Sequence, residues 1–269
     1  MSTPAPRDVS FATSGTTGSP VRWLRSQRQL EDEARMIGEL IGEIDRVITF
    51  VSSHGFLYGH VFGSVFARLR GVPVERAFSD PLNPPRLHGS GRALLVCNSG
   101  TWSLLERLPE LLAAHSGVVA LHSGGPPTPA TARVLAAWEP AGMRAIELLG
   151  ATETGAVAQR LLSATGPPAP WRLLPDVEAL APARPGEEGQ LEVAGPRIAR
   201  RAQAAAPASW TLPDVVRRTG PREFERLGRA SRLVKVNGRR CDLDRLERMI
   251  ADRLPELEIA CLPVRRPPR

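Results

Sequence analysis

The chain has 269 residues, 42% of them apolar, enough to bury a substantial core in one large or two smaller domains. Its 35 Lys and Arg exceed 28 Asp and Glu, a formal charge of +7. The basic residues are dispersed, with no zinc finger or aromatic-basic RNA-binding box, so a basic surface with an anionic small ligand is expected, and no nucleic acid. Three cysteines, Cys97, Cys241 and Cys261, are odd in number and far apart, which argues against a disulfide framework and a zinc site. Neither a secretory signal nor a bilayer-spanning apolar run is present, and the expectation is a cytoplasmic chain with no membrane partner.

Val9 and Phe11 predict a short strand running into Ser14-Gly15-Thr16-Thr17-Gly18-Ser19-Pro20. Gly15 and Gly18 permit tight or positive-φ turns, and the hydroxyls and backbone amides between them can face phosphate oxygens. The pattern of the common ATPase loop is absent. A Ser/Thr/Gly stretch is also the composition of an ordinary linker. Gln27 to Ile44 follows as an amphipathic helix, with Leu30, Ala34, Ile37, Leu40, Ile41 and Ile44 on its apolar side. Val47 to Ser52 reads as a buried strand and Val61 to Leu69 as a helix. Between them, His54 and His60 lack the third ligand and acidic neighbour of a metal site. By composition His54 is a polar residue at a strand end.

Arg92 to Asn98 carries the continuous apolar run Ala93 to Cys97, suited to a parallel strand covered on both faces. A helix over Trp102–Ala114, a strand over Gly117–Leu121, a turn at Ser123–Pro127, a helix over Pro129–Trp138 and a strand over Ala145–Leu149 complete an alternation that predicts an α/β layered sheet. Ligands of open sheets bind beyond the carboxyl ends of the strands. The segments His122–Pro127 and Gly150–Gly155 both follow such ends and are expected to converge on one cleft. Glu153 offers a hard oxygen ligand for magnesium, or a cap for a following helix.

Pro- and Ala-rich stretches at Ala164–Pro170 and Arg200–Ala208 read as loops. From Trp171 onward, Val177–Leu180 and Gly186–Pro196 form short glycine-separated segments of a small β-rich subdomain. Phe224–Leu227 and Leu233–Val236 predict a hairpin around Gly228–Arg232. Asp242–Arg253 predicts an amphipathic helix, and Glu258–Leu262 a last strand. The basic cluster Arg232, Lys235, Arg239 and Arg240 is either an anion site or a solvated face. The expected division is an α/β core over 1–170, a β-rich subdomain over 171–227 and a C-terminal part over 228–269.

Several segments, in order and across nearly the whole chain, match boxes of one family. Thr13 to Pro20 match Thr-Ser-Gly-Thr-Thr-Gly-x-Pro, His54 with Gly55 and Gly59 matches His-x-x-Gly, and Ser123 to Pro127 match Ser-Gly-Gly-Ala-Pro. Leu149 to Gly155 match Tyr-Gly-x-Thr-Glu, and Gly186 to Pro196 a Gly-Glu-x-Gly-Glu-Leu to Gly-Pro segment. Trp210 to Asp214 match a degraded Thr-Gly-Asp, and Leu227 to Arg229 with Lys235 to Arg240 a hinge. The chain thus resembles the adenylate-forming ligases, the acyl-CoA synthetase and aryl-acid ligase group.

The resemblance implies ATP-dependent activation of an aryl or acyl carboxylic acid as its adenylate, with ATP and magnesium as cofactors. The acyl group would pass to the thiol of coenzyme A or an acyl carrier protein. It places Thr13, Ser14, Gly15, Thr16, Thr17 and Gly18 around the phosphates, with Thr16 among the catalytic residues. Gly124, Gly125 and Thr152 would hold adenine and ribose, Asp214 the ribose hydroxyls, and Arg229 ribose or phosphate. Glu153 would coordinate magnesium, and His54, Gly125 and Gly150 would lie beside the acid. Lys235 and Gly238 would sit in the loop that approaches the thiol.

The chain departs from the family at three points. Val21-Arg22 stands where a lysine follows the loop, and the planar fork of arginine is not its equivalent. Leu212-Pro213 replaces the turn before Asp214. A long segment ahead of the loop and the distal lysine that contacts the α-phosphate have no counterpart, so a truncated member is expected. The alternatives are a catalytically impaired nucleotide- or acyl-adenylate-binding protein, and a subunit completed by a partner chain or by self-association.

Overall fold

The computed structural model describes residues 8–13, 21–77, 91–236, 239–251, 253–254 and 259–262. Strands β1 (Val9–Thr13) and β2 (Val21–Arg25) pair antiparallel with Thr13 opposite Val21, so the two strands are joined through 14–20, which lies outside the described residues. Helix α1 (Gln27–Ile41) begins at a reciprocal cap. The Gln29 amide donates to the Ser26 hydroxyl at 3.2 Å, and the Ser26 amide donates to the Gln29 side chain at 3.0 Å. The helix buries Leu30, Ala34, Ile37 and Ile41 and stops at Gly42, at φ +83°, short of the expected Ile44.

Then come β3 (Arg46–Thr49), α2 (Leu57–His60), a π-helical stretch over Val61–Val65, α3 (Phe66–Arg70), β4 (Val74–Arg76) and β5 (Arg92–Cys97). Helix α4 (Ser99–Arg107) and the short α5 (Glu110–Ala113) stand where one helix was expected. Pro109 supplies no N–H and disfavours a helical Leu108, which sits at φ −127°. Next are β6 (Gly117–His122), α6 (Pro129–Trp138), with its capping threonines Thr128 and Thr131, and β7 (Arg144–Ala151). Strand β8 (Gly155–Leu162) follows directly, in a stretch where no element was expected, so Glu153 lies in a hairpin turn and caps no helix.

The remaining strands are β9 (Trp171–Leu173), β10 (Glu178–Ala181), β11 (Glu188–Ala194), β12 (Ser209–Arg218) and β13 (Glu223–Arg229). Eleven strands form one sheet in the order β10-β11-β12-β13-β9-β8-β7-β6-β5-β3-β4. Pairing from β4 to β7 is parallel, and from β7 through β8 and β9 to β10 antiparallel. Through the β8–β9 pair the sheet is continuous across residue 170.

In β5, Leu94 and Val96 pack on one face with Leu30, Ile37 and Phe62, while Leu95 and Cys97 pack on the other with Trp102, Val134 and Leu135. Two buried faces explain the unbroken apolar run. Leu212-Pro213 forms no turn: both lie inside β12, where three residues of β12, Leu212 to Asp214, oppose the single Leu191 of β11. This bulge accommodates a proline that a regular ladder would not.

The hairpin expected from Phe224–Leu227 and Leu233–Val236 is replaced by two separate pairings. Strand β13 belongs to the large sheet, between β12 and β9, and β14 (Leu233–Val236) pairs with β15 (Arg239–Asp242) in a small sheet of its own. Helix α7 (Leu243–Ala251) is the last regular element among the described residues; residues 259–262 carry no strand, and Glu258 lies outside the described residues. Among the described residues no helix is long and apolar enough to cross a membrane.

Candidate active site

A cleft of about 650 Å³ opens at the carboxyl ends of the parallel strands. Phe50, Val51 and Ser52 enter it after β3, Asn98 after β5, Ser123 to Pro126 after β6, and Gly150 to Thr152 at the end of β7. Asp214, Arg226, Arg229 and Arg232 close the opposite wall. An open sheet places a ligand site there because the loops leaving adjacent strands converge at that edge.

The turn after β6 is held from behind by buried polar groups. His122, fully buried, accepts a hydrogen bond at Nδ1 from Trp102 Nε1 at 2.9 Å, which makes Nε2 the protonated nitrogen, donating to the Gly125 carbonyl at 2.9 Å. Burial, opposed by the hydrogen bond to the Gly125 carbonyl and aided by Arg160, pulls His122 down to about 4. Ser99 donates to the Pro126 carbonyl at 2.8 Å, Ser123 to the Leu148 carbonyl at 3.2 Å, and Tyr58 to the Leu121 carbonyl at 2.5 Å. Burial pushes the Tyr58 phenol well above its ordinary range. Gly124 sits at φ +88°, and a Cβ at Gly125 would stand 2.5 Å from Ser99 Oγ, so each glycine has a steric reason.

The β7–β8 turn is tighter. A Cβ at Gly150 would lie 2.2 Å from the Gly155 carbonyl oxygen, a backbone atom that has no way to yield. Thr154 donates to the Gly155 carbonyl at 2.9 Å and accepts from the Ala151 amide at 3.3 Å. Behind this turn lies an ionic cluster that no motif announces. Arg25, fully buried at the end of β2, donates from Nε and Nη2 to the Thr152 carbonyl at 3.3 and 3.2 Å, with Nη1 3.8 Å from Glu33 Oε2. Glu33, on the buried side of α1, accepts from the Ala156 amide at 2.9 Å and from Arg197 at 3.1 Å. Arg197 in turn grips Asp176 through two bonds of 2.6 and 2.9 Å.

Burial draws Arg25 down to about 10 although Glu33 opposes the shift; Arg197 adds to it, and Glu153 opposes it. Arg197 is pulled down by burial too, but Glu33 and Asp176 outweigh that and hold it above its ordinary value. The one sequence signal for this cluster is Glu33 itself, an acid between Leu30, Ala34 and Ile37 on the apolar stripe of α1.

On the opposite wall Asp214, 2% exposed, accepts from Arg226 Nε at 2.6 Å. Arg232 pairs with Glu247 at 2.5 Å and donates to the Cys261 carbonyl at 3.1 Å. On the floor, Glu147 accepts from Arg160 at 2.6 Å, and Arg160 lies over the Trp171 ring at 4.7 Å. Sequence reading passed over Glu147, Arg160 and Arg226, since charges on short strands carry no mark of the face they occupy.

Of the residues expected at the site, Gly124, Gly125, Gly150, Thr152, Asp214 and Arg229 line this one cleft. Thr13 ends β1 and donates to the Val21 carbonyl at 3.4 Å. Glu153 lies in the turn beside them, partly buried and off the lining; its carbonyl accepts from the Ala199 amide at 2.7 Å. His54 is exposed in the loop after β3 and does not line the cleft, although its neighbours Ser52 and Phe56 do. Ser14, Gly15, Thr16, Thr17, Gly18 and Gly238 lie outside the described residues, as does the side chain of Lys235, whose backbone belongs to β14. Among the described residues no three His, Cys, Asp or Glu side chains gather into a metal site of their own.

No family model matches the chain. Over 172 residues it is 29% identical to a 4-coumarate–CoA ligase of Cereibacter sphaeroides, a match covering 62% of this chain and 40% of that protein. Klebsiella oxytoca NpsA in complex with 3-hydroxyanthranilyl-AMSN superposes with a TM-score of 0.64 at 20% identity, over 93% of this chain and 56% of that one. The O-succinylbenzoate coenzyme A synthetase MenE of Bacillus subtilis, in complex with AMP, superposes with a TM-score of 0.65 at 15% identity, over 90% of this chain and 53% of that one.

The fold is that of the adenylate-forming ligases. The chain spans 40% of the Cereibacter ligase and little more than half of the two solved structures. Within the ligase fold, the cleft described above is built by the mixed sheet and the turns leaving it.

Proposed function

We propose that this chain is an adenylate-forming ligase that activates a carboxylic acid with ATP and magnesium and passes the acyl group to a thiol of coenzyme A or a carrier protein. The observation that carries the reading is the convergence of Gly124, Gly125, Gly150, Thr152, Asp214 and Arg229 on one cleft at the carboxyl edge of a ligase-type sheet. ATP, when bound, supplies an α-phosphoryl group that a carboxylate attacks with departure of pyrophosphate.

In this reading the chain contributes positioning and electrostatics. Gly124 and Gly125 let the backbone approach a flat base closely, Asp214 accepts from ribose hydroxyls, and Arg229 offsets phosphate charge. Glu153 supplies the hard oxygen for magnesium, while the hydroxyls of Ser14, Thr16 and Thr17 and the amides of Gly15 and Gly18 cradle phosphates. Phe50, Phe56, Tyr58 and Phe62 give the other end of the cleft an aromatic wall, which favours a flat aryl acid. His54, at the rim beside Ser52 and Phe56, acts on the entering acid, and Lys235 on the thiol step.

Acid-dependent exchange of labelled pyrophosphate into ATP, run with magnesium and a panel of aryl and acyl acids, tests the proposal with Glu153→Ala as the blank. Exchange with at least one acid, lost in Glu153→Ala while the variant keeps its melting temperature, supports it. Absence of exchange with every acid, with ATP still binding, replaces it with a nucleotide-binding protein that does not adenylate.

A further inference from the structure

Two consecutive carbonyls of the β7–β8 turn are held from outside the turn, one by β2 directly and one by a segment that is itself bridged to β2. The Thr152 carbonyl receives the Nε and Nη2 donors of Arg25 at 3.3 and 3.2 Å, across 127 residues of sequence. The Glu153 carbonyl receives the Ala199 amide at 2.7 Å. The next residue, Arg200, is itself paired with β2, Leu24 donating to its carbonyl at 2.8 Å and accepting from its amide at 3.1 Å. Gln29, at the start of α1, secures the same 196–200 segment through the carbonyls of Pro196 and Ile198 at 2.9 and 3.2 Å. The orientation of the peptide planes that bracket Glu153 is thereby referred to β2, once through a side chain and once through the backbone.

A fully buried guanidinium is a costly way to tie two loops. Among the described residues its Nη1 has no hydrogen-bond partner, and its counter-charge, Glu33, is 3.8 Å away and already engaged by Arg197 and the Ala156 amide. Replacing such buried charge by well-packed apolar residues is often neutral or stabilising, so stability alone does not account for Arg25. A rigid fork closing on one carbonyl does account for it, because it fixes direction as well as distance.

We propose that Arg25 is a positioning residue: it orients the Thr152–Glu153 peptide from β2, so that the turn lining the cleft is held in a fixed direction relative to the β1–β2 hairpin. Only the catalytic part of its test rests on the ligase reading above. Arg25→Met removes the fork and Arg25→Lys keeps the charge without it, both in the full chain.

Hydrogen exchange followed by mass spectrometry is expected to show protection of peptides spanning 150–156 falling about tenfold in Arg25→Met, with peptides of β3, β5 and β6 unchanged and Arg25→Lys intermediate. In pyrophosphate exchange, kcat falls about tenfold or more in Arg25→Met with KM for ATP moving less than about threefold, and Arg25→Lys recovers part of the loss. Unchanged protection of 150–156 in a folded variant overturns the proposal, as does loosening spread evenly over the sheet or misfolding of both variants, which would make Arg25 a structural tie only. A wild-type chain inactive in exchange refutes the ligase reading and leaves hydrogen exchange to decide this one.

Discussion

Acid should weaken this fold through one imidazole. His122 is enclosed between α4 and the turn after β6, and both of its nitrogens are engaged, Nδ1 as acceptor from Trp102 and Nε2 as donor to Gly125. Only the neutral ring with its proton on Nε2 satisfies both bonds; a second proton would set an N–H against the indole N–H. Burial accordingly lowers the group to about 4, from 6.5 in an exposed chain. Between those values the unfolded chain binds more protons than the folded one, so stability rises with pH across the window: it is complete above 6.5 and is lost as pH falls toward 4. At about 1.4 kcal/mol per pH unit over roughly 2.5 units, the loss approaches about 3.5 kcal/mol.

Urea unfolding at pH 7.5 and 4.5, followed by tryptophan fluorescence, reads this directly. His122→Gln is the control, since its amide can accept from Trp102 and donate to Gly125 without titrating. Wild type should lose about 2 to 3 kcal/mol more than His122→Gln between the two pH values. Equal losses in both proteins would refute the reasoning, because carboxylates and the remaining histidines are common to the pair.

Gly125→Ala should destabilise by about 1 to 3 kcal/mol through the 2.5 Å approach to Ser99 Oγ, measured as a shift in urea midpoint. Adding Ser99→Ala should recover most of that loss, because the Ser99 Cβ stands at an ordinary 3.7 Å; no recovery would show that the clash lies elsewhere. Arg226→Met, which strips a 2.6 Å partner from the 2%-exposed Asp214, should cost about 1 to 3 kcal/mol, with Arg226→Met/Asp214→Asn recovering part of it in the same assay.

Regular elements were legible where one period and one end signal agreed. The Leu30–Ala34–Ile37–Ile41 stripe marked α1, the apolar run Ala93–Cys97 marked β5 and Pro129 the start of α6, while the caps at Ser26 and Thr128 emerged only with the structure. The two turns at Gly124–Gly125 and Gly150–Gly155 were legible as convergent because both follow parallel strands. Legibility failed where partners rather than local preference decide. The residues of β8, Gly155 to Leu162, include Ala, Gln, Arg and Leu, good helix formers, and are a strand because β7 and β9 supply ladders on either side. The Leu233–Val236 strand was expected opposite Phe224–Leu227, yet β13 is taken up by β12 and β9, leaving β14 to pair with β15.

What this sequence determines by itself is local: where helices start, which strands are covered on both faces, and which glycines mark turns, since caps, periodicity and φ preferences act over a few residues. Tertiary structure alone decides which of the 35 basic residues are surface charge and which are buried and paired. Arg25 and Arg197 read like any other arginine in the chain. They become internal because Thr152 lies 127 residues from the first and Glu33 lies 164 residues from the second, and only the folded sheet brings each partner within hydrogen-bond distance and out of water.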